Sequence, residues 1–278
     1  MVVGLSLLAA FFYGAADFCG GFATRRTGVI AVASISRLTG LIVLAIALPF
    51  LPAHPTLSDF GWGALAGIGG GIGIALLYHA LSIGKMGVVS PVTAVLAASV
   101  PVIVSIALGQ QLARQQLIGI VISLIAIVLI SLSFEDGVRE FSTRGLKEAA
   151  ASGITLGGFY IFLAHTRHEA GMYGVFTASA VSVVFLFILG VVTRVNFRPQ
   201  RTSMPLILLS GTQDMAANVL YVLATYNGSL AIAAVLTSLY PASTVFLARI
   251  VLKERLGAVQ WLGVVFALAG VALIAFRR

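Results

Sequence analysis

Charge is scarce in this sequence: only 9% of its 278 residues are Asp, Glu, Lys or Arg, against 59% hydrophobic ones. Soluble domains carry roughly 25% charged residues. Surface-to-volume scaling leaves no way to hide this much apolar surface from water, so lipid is the solvent the composition requires. Cysteine is nearly absent as well. The single Cys19 excludes an intrachain disulfide, and its apolar neighbours make it a small buried residue rather than a reactive thiol. Acidic residues are outnumbered, giving a net charge of +8, yet the basic residues stand singly or in small groups between apolar runs. No basic stripe or recognised binding motif is present, which excludes a nucleic-acid partner. The ends of membrane spans account for them instead. Met1–Gly4 has no basic start of a cleaved signal, and the apolar run continues directly into a full span.

A spanning helix needs about 20 mainly apolar residues. Ten segments qualify: 3–22, 29–50, 61–83, 88–108, 115–133, 147–165, 173–193, 204–226, 230–251 and 257–276. Barrel strands would be about 10 residues long with alternating polarity, so these unalternating runs read as helices. Most connections are very short, such as Gly84–Gly87 and Asn227–Ser229; only 134–146 and 194–203 read as polar loops.

The loop with Glu135, Asp136, Arg139, Glu140 and Arg144 falls near the midpoint and separates two halves, 1–134 and 147–278, joined by 135–146. Sliding the chain against itself by 144 residues brings Gly14, Gly84, Thr93, Ser99, Gln116 and Gly119 onto Gly158, Gly228, Thr237, Ser243, Gln260 and Gly263. This ungapped register indicates a duplication. Five spans per half is an odd number, so the second half enters the membrane in the opposite orientation, giving an all-α membrane protein of ten helices in two inverted five-helix repeats. Such architectures recur in secondary transporters, with the substrate site between repeats near the midplane. The loops after spans 1, 3, 5, 7 and 9 carry Arg25, Arg26, Lys85, Arg139, Arg144, Lys147, Arg194, Arg198, Arg201, Lys253 and Arg255, against Arg114, Arg167, Arg277 and Arg278 on the other side. The positive-inside bias places the termini outside the cytoplasm of a cytoplasmic (inner or plasma) membrane.

The stretch LTSLYPASTVFLARIVLKERLGAVQWLGVVFALAGVALI, Leu236–Ile274, resembles the closing segment of an EamA domain of the drug/metabolite transporter superfamily. The residues that carry it are Pro241 after Tyr240, then Leu252-Lys253-Glu254-Arg255-Leu256, Gln260, Gly263 and Gly270. The first half is a more divergent copy. GQQLARQQLIG from Gly109 to Gly119 has Gln110 in place of the acid at Glu254, and Pro101 stands four residues from the register of Pro241. The resemblance implies a ten-helix metabolite or drug transporter, commonly an exporter of amino acids or related metabolites.

Ionisable groups in hydrocarbon cost about 2.5–3.5 kcal/mol on insertion scales, so each needs a partner or a cavity. Asp214 is the strongest candidate, near the middle of span 8 beside Gln213, with Asn218 on the same helix face at i+4. It suits a substrate ammonium or a coupling proton. Asp17 and Arg37 lie about 8 and 12 Å from one membrane face at 1.5 Å per residue, so the short α-helical hairpin is expected to bring them together. That pair would bind a zwitterionic or anionic substrate, exchange a proton, or only neutralise itself. Tyr78 and His79 close span 3, where aromatics also serve as interfacial anchors. Tyr240 precedes Pro241, and Pro91 and Pro101 interrupt span 4. Prolines inside a span free backbone carbonyls, which marks spans 4 and 9 for gating or substrate lining.

Other motifs read structurally. GWGALAGIGGGIGIA from Gly61 to Ala75 has Ile72 where a dinucleotide fingerprint needs glycine, while Gly63, Gly67 and Gly71 at four-residue spacing favour close helix packing. Gly84-Lys85 lacks the remainder of a phosphate loop. His165 and His168 have no further ligands for zinc, so neither a metal nor another cofactor is expected. The expected function is a secondary transporter of small polar metabolites, with the bilayer as its surroundings, a proton as candidate coupling ion and a monomer as sufficient unit. The competing readings are a membrane enzyme acting on a lipid-linked substrate, a structural or receptor bundle, and small-cation or drug efflux by the same fold.

Overall fold

The computed structural model describes residues 1–108, 114–135, 138–141, 144–226, 236–237 and 239–275. Among them run ten α-helices: α1 (Val2–Thr24), α2 (Val29–Ala47), α3 (Leu57–Ile83), α4 (Met86–Ala107), α5 (Arg114–Ser131), α6 (Leu146–Leu163), α7 (Tyr173–Val192), α8 (Met204–Tyr226), α9 (Tyr240–Val251) and α10 (Ala258–Ala275). Five of these, α1, α2 with its 3-10 extension, α3, α7 and α8, are long and apolar enough to cross a membrane. Shorter apolar stretches, Met86–Pro101, Leu117–Ala126 and Ala258–Leu273, lie in α4, α5 and α10.

Three local features differ from the sequence expectation. α3 starts at Leu57 rather than 61, because Thr56 and Asp59 form a capping box. The Thr56 backbone N–H and hydroxyl both donate to Asp59 Oδ2 at 2.8 Å. The inter-repeat segment, expected as a polar loop, contains an antiparallel hairpin of β1 (Leu132–Glu135) and β2 (Val138–Phe141), with Leu132 opposite Phe141. The alternation Leu-Ser-Phe-Glu in β1 has the period of a strand. Finally, α9 begins at Tyr240, inside the expected span 230–251, with Pro241 in its first turn. Its missing N–H would be unsatisfied there anyway. Gln110, Arg277, Arg278, the turn 227–229 and most of 230–239 lie outside the described residues.

The packing is that of a protein whose outside meets lipid. Val3, Leu7, Ile42, Ile46, Leu65, Ile68, Val121 and Val184 are exposed, while Ser6, Ser34, Thr93, Ser152, Ser182, Ser210 and Thr244 are buried. The buried hydroxyls satisfy themselves on neighbouring backbones, as when Ser182 Oγ donates to the Gly67 carbonyl at 2.6 Å and Ser152 Oγ to that of Gly73 at 2.8 Å. The halves interleave. α1 packs on α8 and α9, α2 on α7 and α8, α3 on α6 and α7, α4 on α6, and α5 on α10. Each of these contacts joins the first half to the second.

Glycine permits the closest of these approaches. α3 lies between α7 and α6, with Gly63, Gly67 and Gly71 toward α7 and Gly69 and Gly73 toward α6. A Cβ at Gly67 would sit 2.5 Å from the Ala178 carbonyl oxygen and 2.7 Å from Val181 Cβ. Gly67→Val is therefore expected to lower stability by about 1–3 kcal/mol through overpacking. Gly61→Ala, which has nothing within 4 Å of the added carbon, should unfold like the wild type in detergent. Equal thermal unfolding of both variants would refute this packing.

Contacts also refine the internal register. Thr93 Oγ1 donates to the Ala149 carbonyl at 3.2 Å, and Thr237 Oγ1 to that of Ser6 at 3.5 Å. Thr93 and Thr237 differ by 144, but Ser6 and Ala149 differ by 143. Gly14 packs on Tyr240–Thr244 in α9, and Gly157 on Ala97 and Val100 in α4, whereas Gly158 meets nothing within 4 Å. The contact counterpart of Gly14 is therefore Gly157, so the first helices α1 and α6 are offset by one residue from the rest of the repeat.

Candidate functional site

The centre is assembled where α2 crosses α8. Gly40 and Gly211 set this approach: a Cβ on Gly211 would collide with the Ser36 carbonyl, and one on Gly40 would lie 3.0 Å from the Gly211 carbonyl. One turn from each glycine stand Arg37 and Asp214. Arg37 Nη1 donates to Asp214 Oδ2 at 3.2 Å, with side-chain exposures of 16% and 21%. Arg37 thus pairs across the repeats with Asp214, not along the α1–α2 hairpin with Asp17 as expected. The α2–α8 crossing brings Asp214 to it from a helix 177 residues away. Asp17 sits beside this pair, within electrostatic reach of both Asp214 and Arg37.

Three tyrosines interact with these charges, and Tyr221 interacts with two of the three. Tyr13 of α1 interacts electrostatically with Asp214, Tyr160, Tyr221 and Arg37. Tyr160 of α6 interacts with Asp17, Asp214, Tyr221 and Arg37, and Tyr240 of α9 with Asp17 and Tyr160. The rings of Tyr13 and Tyr240 meet edge to face at 6.3 Å. Tyr160 is 49% exposed even with these neighbours, so it borders accessible space rather than a filled core.

Tyr78 is 2% exposed and has left the membrane interface that its position near a span end had suggested. Its hydroxyl shares a 2.8 Å hydrogen bond with Ser210 Oγ and lies 3.5 Å from Ser36 Oγ, and Ser210 Oγ donates to the Ala16 carbonyl at 2.8 Å. Gly20 makes room for the ring, since a Cβ there would collide with it. This network ties α1, α2, α3 and α8 together one layer beside the charges. His79 points away and is exposed.

The remaining candidates divide. Asn218 Nδ2 donates back to the Asp214 carbonyl at 2.8 Å, an intrahelical bond. Gln213 Oε1 and Arg37 Nε are buried without a hydrogen-bond partner among the described residues. Pro91 and Pro101 lie inside α4, and Pro241 opens α9 beside Tyr240. Sequence reasoning missed Tyr13 and Tyr160, and did not carry Tyr221 into the site. Tyr13 lies four residues before Asp17, and Tyr221 lies three after Asn218 and seven after Asp214, so helix-face spacing was an available signal for both. Nothing local marks Tyr160.

The two ends of the bundle are held differently. At one end the Glu254 carboxylate accepts the backbone N–H groups of Met86 and Gly87, both at 3.2 Å, and pairs with Arg25 at 3.4 Å. It thereby caps the N-terminus of α4, where the helix dipole favours an anion. An open recess of about 530 Å³ beside it is lined by Thr24, Arg25, Ser82, Ile83, Gly84 and Arg144. At the other end Arg167 donates to Asp59 Oδ2 from Nε at 3.2 Å and Nη2 at 2.9 Å, and the His54 N–H donates to the Glu169 carbonyl at 2.7 Å. The turns after α1, α3, α5 and α9 thus share one end, and those after α2 and α6 the opposite one.

A helical membrane bundle of two interleaved repeats with a charged and aromatic centre fits the class of multi-pass membrane transporters. The family model of the EamA-like transporter family matches residues 1–132 and 144–276. The chain therefore belongs to that family, within the drug/metabolite transporter superfamily. A solved structure titled only as a crystal structure of a protein aligns over 96% of this chain and 95% of its own, with a TM-score of 0.60 and 14% identity. That likeness concerns the fold. No curated protein matches the chain.

Proposed function

We propose that the protein is a secondary transporter, an exporter of small polar metabolites, that works by alternating access around the Asp17, Arg37 and Asp214 centre. In this reading all ten helices cross a cytoplasmic membrane, with the end containing Arg25, Arg144 and Glu254 facing the cytoplasm. The observation that carries it is the cross-repeat Arg37–Asp214 pair, with Asp17, Tyr13, Tyr160 and Tyr240 in electrostatic reach and Tyr160 bordering accessible space. A carboxylate is an expensive way to hold helices together in lipid, so three charged groups within electrostatic reach of one another point to a solute pathway.

Proton coupling passes from Asp214 to Asp17 in this arrangement. Asp214 is committed to Arg37, whereas Asp17 has the freedom to exchange a proton as the centre opens to each side. Purified protein in proteoliposomes should accumulate a metabolite against its gradient when a pH gradient is imposed, and a protonophore should abolish this. Asp17→Asn should remove the gradient-driven accumulation. Accumulation by Asp17→Asn equal to the wild type at every pH would overturn the proton role. Product formation from a lipid-linked substrate in the absence of any gradient would overturn transport itself.

A further inference from the structure

The end of the bundle that holds Glu254 carries more positive charge than its own contacts engage. The recess of about 530 Å³ there is bounded by Thr24 and Arg25 at the close of α1, by Ser82, Ile83 and Gly84 at the close of α3, and by Arg144 just before α6. Its lining holds two guanidinium groups and no carboxylate. Arg144 is exposed and makes no ion pair among the described residues. Arg25 pairs with Glu254 at 3.4 Å, a longer contact than the Arg37–Asp214 and Arg167–Asp59 pairs at 3.2 and 2.9 Å. The Glu254 carboxylate also accepts the Met86 and Gly87 N–H groups. With five N–H donors and a side chain 31% exposed, Arg25 retains donors for a second anion.

The backbone fixes where these cations stand. Gly145, which follows Arg144, has φ of 79°, a left-handed turn that favours glycine. A Cβ on Gly84 would lie 2.9 Å from the Arg144 carbonyl oxygen, and one on Gly145 3.0 Å from that of Ala80. The close of α3 and the start of α6 are thus packed tightly, and the two arginines line the recess from separate elements. The hydroxyls of the lining are already committed as donors: Thr24 to the Gly21 and Tyr78 carbonyls, Ser82 to that of His79. The guanidinium groups are therefore the side chains that would hold an anion. Their forked donors match the oxygens of a phosphate. Both α1 and α3 are long and apolar enough to cross a membrane, and both end at this recess. It therefore opens at the depth where a bilayer carries its phosphates, and basic pockets between spans recognise such head groups.

We infer that this recess binds a phosphate group of net negative charge, held between Arg25 and Arg144. The group arrives on an anionic lipid or as a soluble phosphate. Arg25 serves both the recess and Glu254, so an occupied recess draws Arg25 away from the carboxylate and loosens this end of the bundle. The lining shares no residue with the Arg37–Asp214 centre, and phosphate binding here stands whether or not that centre carries a solute.

Three probes separate the sources: inorganic phosphate, dihexanoylphosphatidylglycerol and the zwitterionic dihexanoylphosphatidylcholine. Their binding to the full-length purified protein in detergent is measured by calorimetry. At least one of the two anionic probes should saturate, and the choline lipid should bind about 10-fold more weakly or worse, because its own cation meets the arginines. Saturation by the glycerol lipid alone assigns the site to a head group, and saturation by phosphate alone assigns it to a soluble anion. Arg144→Gln, which breaks no ion pair among the described residues, should weaken the anionic probe by about 10-fold or more, the effect of losing a charge-assisted hydrogen bond. Arg198→Gln, the same charge change at an exposed arginine between α7 and α8, should alter it by less than about 2-fold. Glu254→Gln should tighten binding by freeing Arg25, and the gain should vanish when Arg25→Gln is added. Equal losses in Arg144→Gln and Arg198→Gln would overturn the site in favour of diffuse surface charge. Equal affinity for the choline lipid would overturn the preference for net negative charge. Tightening by Glu254→Gln that persists without Arg25 would overturn the sharing of that residue. Failure of every probe to saturate would overturn the proposal as a whole.

Discussion

Replacing Arg37 alone or Asp214 alone with leucine is expected to destabilise the protein by about 3–5 kcal/mol, the usual cost of stranding one member of a buried ion pair. The pair is only 16% and 21% exposed, so solvent compensates the survivor only in part. The Arg37→Leu variant suffers more than Asp214→Leu, because it leaves two carboxylates facing each other with no cation nearby. The double variant should regain part of the stability that Arg37→Leu loses, since it removes the carboxylate stranded by that change and leaves Asp17 alone without a cation. Transport should stay absent in all three. Thermal unfolding in detergent and uptake by proteoliposomes read these effects separately. A double variant no more stable than the worse single would mean that the two residues are not energetically coupled.

The second large effect concerns Glu254. One carboxylate there holds the first turn of α4, the end of α1 and the connection between α9 and α10. Glu254→Ala removes the acceptor of two N–H groups and the partner of Arg25, a loss of about 2–3 kcal/mol for hydrogen bonds to a charged group. At 1.4 kcal/mol per factor of ten, the balance between closed and open forms of this end should move by roughly 30- to 140-fold. A cysteine at Ser82, which lines the adjoining recess, should react faster with a membrane-impermeant thiol reagent in the Glu254→Ala background. Glu254→Gln retains a carbonyl acceptor and should fall between. Labelling unchanged by Glu254→Ala would show that this contact does not close the end.

Much of this was legible because lipid imposes strong rules on sequence. Long apolar runs and the repeat of Thr93 at Thr237 announced a duplicated helical membrane protein, and the four-residue glycine spacing in α3 announced close packing. Asp17, Arg37 and Asp214 stood out because charge in hydrocarbon is rare. Their pairing was not legible. Arg37 and Asp17 are neighbours in the chain and matched in depth, but pairing is decided by rotation about the helix axis and by the Gly40–Gly211 crossing, neither of which has a one-dimensional signature. Tyr160 shows the same limit, since its partners come from α1, α2 and α8. The one-residue offset of α1 against α6 was hidden because Gly157 and Gly158 are adjacent, and only their contacts distinguish them.

The interleaving of the repeats has a consequence for how the chain is made. α1 ends at Thr24, but its partner α8 ends at Tyr226. At about 5–20 residues per second of synthesis, α1 waits roughly 10–40 s in the bilayer before that partner exists. During this wait Arg37 has no Asp214, and the glycine faces of α3 have neither α6 nor α7. The insertion machinery must therefore accept a helix with an unmatched arginine at its middle and keep it from leaving the membrane until the second half emerges. A ribosome that stalls near residue 140 would leave five helices whose closest packing surfaces all face lipid, a ready substrate for membrane quality control.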